Sequence, residues 1–344
     1  LFYYRCLEER SVKQGMYTGL SLFFLFSCAY PADFIITAYL LIAMLIVYMV
    51  SAYRKKEVFI NKKLLLSHLT IAIVFILLSG PAILSYAEGL PLQERGKGAD
   101  YESVMSNPLH PALLSAYTTP PAIWKMPGVS ITDPLERNSY IGIAGFMLLL
   151  ISFMFKSVNS TVRFSKWAAV IFLLFSFGEM GGLRVISYYI LPLMNSFRHP
   201  ANAKMFTLFF CCLLAGFAFN DIINNKIPVK ILRRGWWATL LIMFIVLVIS
   251  FFTPFSLFSL SSVSSFFHMH PGVPFINHLK TQLDNTSFAD LVLLTTFVQV
   301  VFLLLVYRFL FKKINIKLFL ATAIVNCILF TILFQPFTLI NKSR

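Results

Sequence analysis

The sequence predicts an all-α, polytopic integral membrane protein with about nine transmembrane helices and long extracytoplasmic loops. Three observations carry that reading. Of 344 residues, 58% are hydrophobic and only 12% are charged, too little polar surface for a water-soluble globule of this length. Apolar runs close to the roughly 20 residues that cross a bilayer recur along the chain, with charges confined to the gaps between them. Segments that alternate polar and apolar residues do not recur, so a transmembrane β-barrel does not fit.

The apolar runs lie at about 16–30, 34–53, 64–86, 140–157, 166–181, 204–222, 236–253, 288–310 and 317–336. The first ends at Ala29-Tyr30-Pro31-Ala32-Asp33, a turn that returns the chain at once as the second. Lys and Arg are retained on the cytoplasmic side of short loops, so alternate gaps report orientation. One set holds clusters such as Arg54-Lys55-Lys56, Lys62-Lys63, Arg233-Arg234 and Lys312-Lys313, nearly twice the basic residues of the other set in much shorter stretches. Residue 1 is therefore expected inside and residue 344 outside, with outer loops at 87–139, 182–203 and 254–287. Everything long enough to build a site then faces outward. No ATP is present there, so an enzyme would draw on activated substrates delivered by lipid carriers.

The net charge of +15 reports this topology and not nucleic-acid binding, since no basic stretch stands clear of the apolar runs. The five cysteines fall mostly inside those runs without a CxxC pair and read as small apolar residues. The chain begins at Leu1, without an initiator Met or signal peptide, and is expected to be a piece of a longer polypeptide, incomplete at its N-terminus.

Three basic residues break the charge rule by crowding the outer segment 182–203 and its boundary: Arg184, Arg198 and Lys204. Pro200 stands where the sixth run begins, a position proline favours because the first helical turn has no use for its missing N–H. The free amides and positive dipole end of that helix, beside Arg198 and His199, make an anion site. Arg grips phosphate through paired hydrogen bonds, so Arg198, with Arg184, Lys204 and His199, is the candidate set for a substrate phosphate. The plainer alternative is that Arg198 and Lys204 snorkel to the headgroups.

Glu179, flanked by Gly178, Gly181 and Gly182, is either a substrate contact or the partner of Arg184 in a glycine-permitted turn. Tyr188 and Tyr189 suit an interfacial aromatic belt or a sugar-binding groove. Among the carboxylates of the 87–139 loop, Asp133 stands nearest a span and is, with Glu179, a candidate general base. Asn107-Pro108-Leu109-His110-Pro111 and Leu113-Leu114 read as an interfacial or re-entrant helix resting on the membrane. His268-Met269-His270 with His278 has poor metal-site spacing, and no cofactor is identifiable; a divalent metal is not indicated. Asp290, Gln299 and Asn326 sit in apolar runs and are expected to hydrogen-bond between helices.

The block from Leu191 to Phe219, LPLMNSFRHPANAKMFTLFFCCLLAGFAF, resembles the YfhO-type bacterial membrane proteins, in which an outer Phe-Arg-x-Pro-Ala motif leads into an apolar helix ending Leu-Ala-Gly. His110-Pro-Ala-Leu-Leu-Ser, Ile131-Thr-Asp and Glu136-Arg-Asn-Ser-Tyr-Ile-Gly are similar to the family's outer loop and its Tyr-x-Gly span start, so the likeness covers most of residues 15 to 225. The resemblance implies a GT-C class glycosyltransferase of the bacterial cytoplasmic (inner) membrane. Such an enzyme takes a sugar from a polyprenyl-phosphate donor to a cell-envelope glycan, lipid or protein acceptor. It also implies a GT-C-like region over 1–225 and additional transmembrane helices over 226–344. Arg198, Pro200 and Ala201 carry the motif; the family's acidic first outer loop has no counterpart beyond the short turn at Asp33. The rival readings are a lipid-linked saccharide transporter or flippase and a non-catalytic membrane scaffold.

Overall fold

The structure, a computed structural model, describes residues 1–28, 31–56, 61–89, 98–124, 126, 128–252, 287–312 and 315–338. Every regular element among them is helical. Each of the nine apolar runs forms a helix, and among the described residues six helices are long and apolar enough to cross a membrane: 32–54, 62–89, 200–223, 229–251, 288–311 and 316–333. The chain is a helical membrane protein. The other three runs give helices of 17, 12 and 17 residues. At ~1.5 Å per residue a 12-residue helix covers about 18 Å, well short of the ~30 Å hydrocarbon core. Six of the nine expected spans thus have the length and composition to cross, since hydropathy weighs composition and not the length over which the backbone stays helical.

The chain divides into two units, Leu1–Ser106 with Val185–His199, and Asn107–Arg184 with Pro200–Arg344. In the first unit, α1 (Phe2–Glu9) precedes α2 (Val12–Cys28), α3 (Pro31–Arg54), α4 (Lys62–Gly89) and the short α5 (Tyr101–Met105). Tyr3 and Leu7 of α1 are one turn apart and pack on Leu64 at the start of α4, and the Tyr3 hydroxyl meets His68 Nε2 at 3.2 Å. Helix α2 packs closely on α4. A Cβ on Gly15 would lie 2.6 Å from the Ser67 carbonyl oxygen and one on Gly19 2.9 Å from that of Ile71, so the Gly15-xxx-Gly19 face lets the two backbones meet.

The second unit holds α6 (Ile143–Met154), α7 (Ser160–Ser176), α9 (Lys204–Ile223), α10 (Val229–Phe251), α11 (Phe288–Tyr307) and α12 (Ile316–Thr338); α8 (Leu183–Ile190) straddles the division. Helix α6 is apolar all round and almost wholly buried, packing on α9, α10, α11 and α12. A short helix of that kind is a core element and not a lipid-facing span. Helices α6 and α10 lie on either side of position 225 yet pack together within this unit.

The segment 107–142 packs against the helices of this unit. Leu109 N–H donates to the Ser176 carbonyl at the end of α7, and the turn Pro120–Trp124 packs Ala122 against Phe288, Leu291 and Val292 at the start of α11. Leu109, Leu113, Ala116, Ile123, Val129 and Ala201 form one buried cluster. Where an interfacial or re-entrant helix was expected around Asn107–Leu114, a 3-10 turn over Pro111–Tyr117 buries Leu113, Ala116 and Tyr117 against the protein and not against lipid. Irregular backbone among apolar helices is tolerated only where protein encloses it. Ser287 and Asp290 cap α11 reciprocally, each side chain meeting the other's backbone amide.

Candidate functional site

The motif from Phe197 to Lys204 falls across the two units, with Arg198 and His199 in the first and Pro200 to Lys204 in the second. In the second unit, Pro200–Ala203 is a 3-10 turn that leads into α9. Proline fits there because that position needs no N–H, and Ala201 is small because it is buried among Leu109, Leu113 and Ile123. The Ala201 amide donates to the Asn107 carbonyl at 3.4 Å, so part of the helix start expected to be open to an anion is occupied by the chain itself.

Lys204 is buried and its Nζ donates to the Glu136 carbonyl. Around that contact the 107–142 segment is tightly braced. Thr132 Oγ1 donates to the Pro108 carbonyl at 2.7 Å and accepts from the His110 amide at 2.9 Å, and Arg137 Nε donates to the Thr132 carbonyl at 3.0 Å. Burial pulls the Arg137 guanidinium below its usual value, and the negative charge of Asp133 works the other way. Asp133 Oδ1 accepts from the Leu135 amide at 2.9 Å, capping the turn Pro134–Glu136. Glu179 is exposed. Arg184 is fully buried, its guanidinium carbon 5.2 Å from the centroid of the Phe175 ring, a cation held over an aromatic face. The structure therefore brings Lys204 to the Asp133–Arg137 loop and gives Arg184 an interior position within the same unit.

In the first unit, Leu193 and His199, at φ 63 and 62, bracket Met194–Arg198 with two left-handed residues that are not glycine. Such conformations persist only where surrounding contacts hold them. Here the Ala99 amide donates to the Asn195 carbonyl at 2.8 Å, the Tyr188 hydroxyl donates to the Ala99 carbonyl at 3.4 Å, and Tyr101 packs against the rings of Tyr188 and Tyr189. Phe197 is buried, whereas Arg198 is partly exposed. The Nε of Arg198 is buried and makes no hydrogen bond among the described residues. A buried guanidinium donor left open is costly unless a ligand or solvent meets it.

Sequence reasoning flagged Gln299 and Asn326 but missed their third partner. Tyr140 donates to Asn326 Oδ1 at 2.6 Å and accepts from Gln299 Nε2 at 2.8 Å, and Asn326 Nδ2 donates to Gln299 Oε1 at 3.1 Å. The Ile143 amide also donates to Asn326 Oδ1, at 3.0 Å, which fixes the start of α6 near the middle of α11 and α12. Gly142 is doubly required: its φ is +80°, and a Cβ would lie 2.8 Å from Cys327 Sγ. Gln299 and Asn326 were legible as polar residues within apolar runs, whereas Tyr140 opened a span and gave no sign of pairing with them.

Cys6, Cys211, Cys212 and Cys327 are free thiols, and among the described residues no group of His, Cys, Asp and Glu is arranged to hold a metal ion. His268, His270, His278 and most of the 254–287 loop lie outside the described residues. Comparison with known proteins found no matching family model, no matching curated protein and no matching solved structure.

Proposed function

We propose that the chain is a membrane glycosyltransferase of GT-C type that takes a sugar from a polyprenyl-phosphate donor and transfers it to a cell-envelope acceptor on the extracytoplasmic face of the bacterial cytoplasmic membrane. The observation that supports this reading best is Arg198: a motif arginine, partly exposed, with a buried Nε that has no hydrogen-bond partner among the described residues. A phosphate oxygen would satisfy that donor and take the charge of the cation. Arg198, beside His199, binds the donor phosphate and stabilises the negative charge that grows on it as the sugar leaves. Arg184 and Lys204 support the fold around the motif, in keeping with their burial. Asp133 and Glu179 remain the candidate bases for the acceptor hydroxyl.

A transporter needs polar groups open along a path through the bilayer, whereas Tyr140, Gln299 and Asn326 bond to one another in a closed ring. The test is sugar transfer in proteoliposomes supplied with a polyprenyl-phosphate sugar. Arg198→Ala should sharply reduce transfer with unchanged insertion, and Arg198→Lys should restore only part of it. Normal transfer by the Ala variant refutes the phosphate role. Donor movement without cleavage in the parent protein refutes the enzyme reading.

A further inference from the structure

Within the first unit, Val185–His199 presents two unlike faces. Ile186, Tyr189 and Ile190 share one side of α8 at i, i+3 and i+4, and Leu193 follows in the turn; all four are between 55% and 72% exposed. Ser187, Met194 and Phe197 are buried on the other side. That buried side is fastened by the Ala99–Asn195 and Tyr188–Ala99 hydrogen bonds and by the Tyr39 hydroxyl, which donates to the Pro192 carbonyl at 2.9 Å.

Tyr39 sets the depth. It lies eight residues into α3, about 12 Å along the axis at ~1.5 Å per residue. The 24 residues of α3 cover about 36 Å, some 6 Å more than the ~30 Å hydrocarbon core. With that excess shared between its ends, Tyr39 and the Pro192 carbonyl sit about 9 Å below the hydrocarbon boundary. Only 6% of the apolar window of α3 is buried, so lipid surrounds the helix to which the segment is tied.

We infer that Val185–His199 is a membrane-embedded interfacial element whose Ile186–Tyr189–Ile190–Leu193 face is covered by lipid acyl chains. The bilayer is its partner. A short stretch of exposed apolar residues that includes a tyrosine matches the composition of interfacial anchors. Arg198, five residues beyond Leu193, is thereby carried back toward the headgroup phosphates. The inference depends on the membrane spans and not on the glycosyltransferase reading.

The test uses the full chain in nanodiscs with its cysteines replaced by Ala and an environment-sensitive fluorophore on Leu193→Cys or Ile190→Cys. Val158→Cys, exposed between α6 and α7, serves as the aqueous reference. At 190 and 193, quenching by acyl-chain nitroxide lipids should exceed quenching by iodide several-fold, with blue-shifted emission; at 158 the order should reverse. Iodide quenching at 190 and 193 equal to that at 158 overturns the inference, as does shielding from both quenchers, which would indicate a protein neighbour. Should cysteine replacement unfold the chain, Tyr189→Trp in the native-cysteine protein gives the same answer. Brominated lipids should then quench more of its fluorescence than of the parent's, and an unchanged quenched fraction overturns the inference.

Discussion

Replacing Asn326 by Leu keeps the side-chain volume but removes every hydrogen bond in which the amide takes part. Oδ1 loses the Tyr140 hydroxyl and the Ile143 amide, and Nδ2 no longer serves Gln299. The two side-chain bonds contribute about 0.6 kcal/mol each, the average for such pairs within membranes. The orphaned Ile143 amide adds about 1–3 kcal/mol, since α6 starts there in a buried position with no water to take its place. The expected loss is therefore about 2–4 kcal/mol. Equilibrium unfolding in mixed detergent micelles measures it, with Val325→Leu on the neighbouring exposed position as control. Tyr140→Phe and Gln299→Leu should each cost less, and the double variants should be non-additive because the three groups share one ring. If Asn326→Leu stays within about 0.5 kcal/mol of the control, the ring does not hold α6 and the reasoning fails.

Gly15→Leu should separate α2 from α4, because even a Cβ would lie 2.6 Å from a backbone oxygen; a loss of about 1–3 kcal/mol in the same unfolding assay is expected, and neutrality would refute the close contact. Lys204→Met leaves the Glu136 carbonyl without its donor, so stability should fall by about 1–3 kcal/mol and proteolysis within 131–142 should rise; an unchanged cleavage pattern counts against the brace. Asp100 caps α5, and hydrogen bonds from Ser103 hold its carboxyl below the usual carboxylate value. A depressed folded pKa contributes stability above the ordinary value of about 4 and loses it as pH falls through the lowered one, so amide protection over Tyr101–Met105 should drop on acidification, and Asp100→Asn should abolish that pH dependence.

The apolar runs announced nine helices correctly, but the run at 140–157 misled about what its helix does. Composition could not show that Tyr140-Ile141-Gly142 would stay outside the helix, because the group holding it, Asn326, stands 186 residues away. The polar residues at 299 and 326 advertised themselves by their apolar surroundings; Tyr140, ordinary at the head of a span, did not. The contact of Lys204 with the Glu136 carbonyl was not legible, because a backbone carbonyl has no signature in sequence. Arg198 stood out in the sequence by its motif, and the structure adds only that its buried Nε meets no hydrogen-bond acceptor among the described residues.

What the sequence determined by itself was the solvent and the secondary structure. Long apolar runs must hydrogen-bond their own backbone in lipid, and a helix is the local way to do so. Tertiary structure alone decided which helices meet lipid and which meet protein, and which cations are sealed inside. Burial and hydrogen-bond partnership arise between residues far apart in the chain, and no local pattern encodes them.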